Sequence, residues 1–253
     1  MASEVRHMGQ AKRRGSKDDR IAEALRRFLQ EEDLSVAQES AIYSKALHKR
    51  DALLEAWQCR AEQVPTNFEG VGVPSEYICS QLKVFNAALK FIWKNDFTGA
   101  CHNMSAVIYI ILSEINVQST LCIGEVKLNN QLFDHSWVEV GEKIIDAAVS
   151  LPLDHENSAF VGGPVFRSVD LSTNKHTRLH YGVESENGLD SIARNVCERD
   201  LAEFGDMQIA DGADESILVW NMAKNLASDV GLSVCADNLR RKYGSVNRVL
   251  RSM

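Results

Sequence analysis

The sequence predicts an α+β fold, and three observations carry that reading. An almost continuously apolar run fills residues 101–116, three short strand-like segments follow it directly, and helical periodicity flanks this block on both sides. At 253 residues the chain is long enough for one large domain or two small ones. Its 45% hydrophobic and 25% charged residues, with only 4 prolines and 15 glycines, exclude a fibrous or low-complexity chain. The formal net charge of −7 argues against a general polyanion binder.

Residues 1–17 read as a flexible basic arm, since Arg6, Lys12, Arg13, Arg14 and Lys17 alternate with small and polar residues. A helical extension is expected over 18–74. Ile21, Ala24, Leu25, Phe28 and Leu29 recur at helical spacing, and Ile42, Ala46, Leu53 and Trp57 form a second run. The stretch from Val64-Pro65 to Pro74-Ser75, with Gly70 and Gly72 inside it, reads as the boundary loop. The remainder, 75–253, is expected to be the functional domain. It opens with a helix over Ser75–Lys94 that places Ile78, Leu82, Phe85, Leu89 and Ile92 on one face.

The helix over 101–116 should be buried on all sides. Leu121–Leu128, Leu132–Val140 and Lys143–Ala147 read as an antiparallel meander turning at Asn129-Asn130 and Gly141-Glu142. Strands are further expected at Val165–Val169 and Thr177–Val183, and helices at Asp190–Phe204, Glu215–Val230 and Ala236–Leu250. The longest apolar run, Ala106–Leu112, falls well short of the ~20 residues a bilayer crossing needs. With no apolar core behind the basic opening, a cytoplasmic location is expected.

Three residues stand out chemically. With Thr98 as N-cap, Cys101 falls in the first turn of the buried helix, where unpaired N–H groups and the positive end of the macrodipole favour a thiolate. A two-residue turn between Val140 and Lys143 sets Asp146 opposite Trp137 and puts His135 and Asp146 on one sheet face as diagonal neighbours. Asp146 can then orient the imidazole while His135 takes the thiol proton. The opposite face carries Ser136, Val138, Ile145 and Ala147, so the Cys101 helix is expected to pack on the His135 face. The Cys101 backbone N–H is one candidate oxyanion donor, with Asn95 or Trp93 as a second.

The stretch CHNMSAVIYIILSEINVQSTLCIGEVKLNNQLFDHSWVEVGEKIIDAA, residues 101–148, resembles the transglutaminase-like core of the papain-like cysteine-enzyme superfamily. The helix-borne Cys, the HSWVEV strand and the IIDAA strand match in type and order. The resemblance implies a papain-like, transglutaminase-type core with helical additions at both ends. It assigns Cys101 as nucleophile, His135 as acid and base, and Asp146 as orienting carboxylate. It further implies a thiol enzyme acting on an amide or acyl bond of a peptide or protein. Protease, amidase or deamidase, and transglutaminase or acyltransferase remain open, because they differ in substrate groove and acceptor. The rival reading is a non-catalytic binding module that keeps the same scaffold.

Plainer roles are expected elsewhere. Cys59, Cys79, Cys122, Cys197 and Cys235 read as structural thiols, and with no CxxC pair all six cysteines should be free of disulfides. His102 points about 100° away from Cys101 and is expected to pack or face solvent. His176 and His180 have the spacing of a helical metal pair, but on an extended segment they would stand roughly 13 Å apart. Neither metal nor cofactor is expected, and nucleic acid would have only the basic arm to contact.

Overall fold

The computed structural model describes residues 50–68, 75–128, 131–151 and 163–252. The predicted basic arm, the first helix of the extension, the Asn129-Asn130 turn and most of the loop after Leu151 lie outside these residues. Seven helices are described: α1 (Arg50–Phe68), α2 (Ser75–Lys94), α3 (Cys101–Glu114), α4 (Ser191–Cys197), α5 (Leu201–Ala210), α6 (Val219–Asp229) and α7 (Ala236–Tyr243). Eight strands form one sheet: β1 (Thr120–Leu128), β2 (Gln131–Val140), β3 (Lys143–Asp146), β4 (Val165–Phe166), β5 (Val169–Asp170), β6 (Lys175–His176), β7 (His180–Val183) and β8 (Val249–Arg251). The α+β class stands.

Strand order runs β6-β5-β4-β3-β2-β1-β7, with β8 also on β1. All neighbours are antiparallel except β8, which runs parallel to β1. β1 therefore shares its outer edge between two partners. Cys122 to Gly124 meet β8, and Glu125 to Lys127 meet β7. The predicted register holds at the central hairpin, where Val140 faces Lys143 and Val138 faces Ile145. Period-2 alternation with a two-residue turn fixes that register locally.

α3 is rich in β-branched residues, which disfavour helix intrinsically. Burial of Met104 to Ile108 and Ile110 to Leu112 overrides that preference. Its end is a Schellman motif: Asn116 adopts a left-handed φ of 57°, Asn116 N–H reaches Ser113 O and Val117 N–H reaches Leu112 O. α2 closes in the same way, with Asp96 at φ 55° and Phe97 N–H on Ile92 O at 2.9 Å. The short connection to Cys101 is then pinned, because Gly99 turns at φ 64° and donates its N–H to Leu151 O at 3.2 Å.

The core has two parts, one on each face of the sheet. The larger contains the buried residues of α1, α2, α3 and α6 with Leu121, Ile123, Val138, Val140, Ile145 and Ala147. The smaller holds Cys122, Val126, Trp137, Val165, Leu179 and Tyr181. This corrects the expected placement of α3, which packs on the Val138 and Ile145 face and not on the His135 face. The reason is composition: the Ser136-to-Val140 side is aliphatic and matches the apolar helix, whereas the other side carries His135, Trp137 and Asp146.

Several boundaries differ from expectation. α1 continues through Pro65 to Phe68, held by the burial of Ala61 and Val64 in the larger core, so the boundary loop does not begin at Val64. The expected helix over 190–204 is two helices. Asp190 accepts from the N–H groups of Ile192 and Ala193, and Asp200 starts α5 with a reciprocal capping box to Glu203. The 165–169 strand is a tight hairpin whose corner residues Arg167 and Ser168 take positive φ of 50° and 66°. The last predicted helix ends at Tyr243, and Val249–Arg251 is a strand.

Candidate active site

α3 begins one residue after Ala100, which makes no side-chain cap, so Thr98 is not the N-cap. Cys101 is the first helical residue, and the N–H groups of its turn have no acceptor within the helix. The turn is held from three sides. His102 Nδ1 lies 2.7 Å from Ser136 Oγ on β2, and the ring also lies beside the Cys101 thiol, which corrects the expectation that it points away from Cys101: the bond to Ser136 sets the ring's direction. Asn103 donates to Ile217 O at 3.0 Å and accepts from Gln208 Nε2 at 2.9 Å. Arg248 Nη2 donates to His102 O at 3.1 Å.

His135 and Asp146 meet directly, with Nε2 and Oδ2 2.7 Å apart and both side chains buried. The same Oδ2 accepts from the Tyr181 hydroxyl at 2.9 Å. Oδ1 accepts the N–H groups of Ala148 and Val149, both at 3.1 Å. Four donors thus surround the carboxylate, and its rotation is locked. His135 is further enclosed by Phe133, edge-on at 5.7 Å between ring centres, and by Tyr181 at 6.4 Å.

Cys101 and His135 approach where β3 leaves β2. The paired part of β3 ends at Asp146, and the chain turns into a 3-10 segment, Ala148–Ser150. The Cys101 thiol and the His135 ring act on each other there, each shifting the other's proton affinity. With Nε2 committed to Asp146, Nδ1 is the ring nitrogen left for the sulfur.

Burial alone would push the Cys101 thiol up. The His102 and His135 rings beside it overcome that and hold it well below the ordinary thiol value. Burial works against a charged His135, yet the Asp146 carboxylate and the Cys101 sulfur raise it to about 10. Both shifts favour the thiolate–imidazolium pair over the neutral thiol and ring. Cys122, in contrast, is buried beside Glu139 and is pushed up to about 12.

Both expected side-chain oxyanion donors are engaged elsewhere. Trp93 is fully buried, with Nε1 on Ser150 Oγ at 3.0 Å, and Asn95 Nδ2 returns to Phe91 O at 2.9 Å. Trp93 instead ties α2 to the turn that follows Asp146. Cys59, Cys79 and Cys235 face solvent and are not core thiols, and none of the six cysteines forms a disulfide. Tyr181 and Arg248 are the neighbours that sequence reading missed. The alternation of HYGV signals an inward Tyr181, but nothing local signals its partner.

Residues 74–155 match the family model of the transglutaminase-like superfamily, and the match encloses Cys101, His135 and Asp146. The superfamily is typically enzymatic, although members can be inactive. No curated protein and no solved structure shows a significant match to this chain. Among the described residues no helix is long and apolar enough to cross a membrane.

Proposed function

We propose that this protein is a thiol enzyme that breaks an amide or related acyl bond of a peptide or protein through a Cys101 acyl-enzyme. The observation that carries the reading is the buried His135–Asp146 bond of 2.7 Å, with Cys101 at a helix start within reach of the same ring. A scaffold gains little from it, because buried ion pairs are weak contributors to stability.

In the first half-reaction the Cys101 thiolate attacks the substrate carbonyl carbon and forms the C–S bond. The oxyanion takes the Cys101 backbone N–H at the positive end of α3. His135, protonated at Nδ1, hands that proton to the leaving amine as the C–N bond breaks, leaving a thioester. In the second half-reaction His135 accepts a proton from water or an amine as that acceptor attacks the thioester, and Cys101 leaves as thiolate. Asp146 keeps the ring in the tautomer that directs Nδ1 to sulfur in both halves.

The test is a nitrophenyl ester followed by absorbance, with and without a primary amine. The expected result is a burst of one nitrophenolate per chain with an acyl group on Cys101. Faster turnover with the amine would mark an acyltransferase, and unchanged turnover a hydrolase. No acyl group on Cys101 under either condition would refute the proposal.

A further inference from the structure

We propose that Arg248 is a positioning residue of the Cys101 site: its buried guanidinium fixes the first turn of α3 and supplies a permanent positive charge that favours the thiolate. The inference rests on the reading of Cys101 as nucleophile. Arg248 is 5% exposed, directly before β8. Its Nη2 holds the His102 carbonyl at 3.1 Å, and its guanidinium carbon lies 4.4 Å from the centre of the Phe204 ring. The other two nitrogens, Nε and Nη1, are buried with no hydrogen-bond partner.

A buried guanidinium that leaves two nitrogens unpaired opposes folding, and an apolar side chain of similar length would serve the core better. The groups facing it explain what the charge does. From α3 come Cys101 and the His102 carbonyl, from α4 comes Cys197 with Glu198 beside it, and from α5 comes the Phe204 ring. Burial pushes the Cys197 thiol up, so it is neutral at neutral pH. Arg248, brought down to about 10 by burial, stays protonated there. The acidic group it faces is therefore Cys101, beside which lie the His102 and His135 rings, with Asp146 behind the latter. Arg248 and the imidazoles belong to different elements, so the guanidinium adds a positive charge separate from the catalytic ring.

The experiment compares wild type, Arg248→Met and Arg248→Lys in the full chain. It reads the iodoacetamide alkylation rate of Cys101 against pH by peptide mapping, with thermal unfolding in parallel. In Arg248→Met the pH of half-maximal reactivity should rise by on the order of one pH unit, with no loss of thermal stability. Arg248→Lys, which keeps the charge, should stay close to wild type. Should Arg248→Met fail to fold, Arg248→Gln makes the same comparison. Coincident profiles for wild type and the neutral variant would overturn the inference, as would equal shifts in the Lys and the neutral variants. A wild-type Cys101 that reacts only in the ordinary thiol range would instead overturn the underlying nucleophile reading, a result distinct from either.

Discussion

Replacing Asp146 by Asn exchanges one oxygen for an NH2 group and should disable the thiol without disturbing the fold. The two backbone N–H groups of Ala148 and Val149 demand an oxygen at the Oδ1 position. The amide nitrogen of Asn must then occupy the Oδ2 position, where it meets His135 Nε2 and the Tyr181 hydroxyl. Tyr181 can turn and accept. His135 can accept at Nε2 only by moving its proton to Nδ1, and a neutral ring protonated there cannot take the thiol proton. The positive ring that held the thiolate is lost.

If Cys101 returned fully to the ordinary thiol value of 9.0, less than about 1% would be thiolate at pH 6.5. A thiolate of higher pKa is also a better nucleophile, which offsets part of that loss. His102 still favours the anion as well. The alkylation rate of Cys101 at pH 6.5 should therefore fall roughly tenfold to a hundredfold. The assay is limiting iodoacetamide across pH 5 to 9 with peptide mapping, because Cys59, Cys79 and Cys235 also face solvent. His135→Ala should shift the profile at least as far. Superimposable profiles for wild type and Asp146→Asn would refute the role given to the carboxylate.

Four further outcomes are expected. Cys101→Ala should fold with a loss of at most about 1–2 kcal/mol, checked by urea unfolding, and have no acyl-transfer activity. The pair also sets a pH signature on stability. His135 is raised, so its contribution is complete below its ordinary 6.5 and fades as pH rises through about 10; Cys101 is lowered, so its contribution is complete above 9.0 and fades as pH falls through its folded value. Between 6.5 and 9.0 the two slopes cancel, giving a plateau that Cys101→Ala should turn into a decline beginning near 6.5. Tyr181→Phe removes one donor from Asp146 Oδ2 and should cost about 1–2 kcal/mol in thermal unfolding, while Cys101 labelling at pH 6.5 stays within a few-fold of wild type. Gly124→Ala would set a Cβ 2.6 Å from Arg251 O, so β8 must shift and stability should fall by about 1–3 kcal/mol.

The parts of the site legible in the sequence are those fixed by local pattern. The Val140–Lys143 turn and the period-2 alternation of HSWVEV determine which residues share a face, and the His135–Asp146 bond follows from them. Which face receives α3 is a contest between two surfaces, and Val138, Val140 and Ile145 won it for the apolar helix. The hairpin alone did not display that outcome. β8 was hidden because Val249 to Arg251 earn their strand only by pairing with Cys122 to Gly124, more than a hundred residues away. The partners of Arg248 and Tyr181 were hidden for the same reason: nothing local links a basic and an aromatic side chain to His102 and Asp146 until the sheet brings them together. The turns at Asp96 and Asn116 escaped because residues other than glycine hold the left-handed conformation there.

The central claim is that Cys101 forms a covalent acyl adduct with His135 as its partner. It is tested most directly by treating the full chain with an acyl-type thiol-reactive probe at neutral pH and mapping the modified peptide by mass. The account predicts a stoichiometric adduct on Cys101, formed ahead of solvent-facing Cys59, Cys79 and Cys235 and lost in His135→Ala. Labelling that favours any of those three, or a Cys101 adduct that forms equally fast without His135, would contradict it.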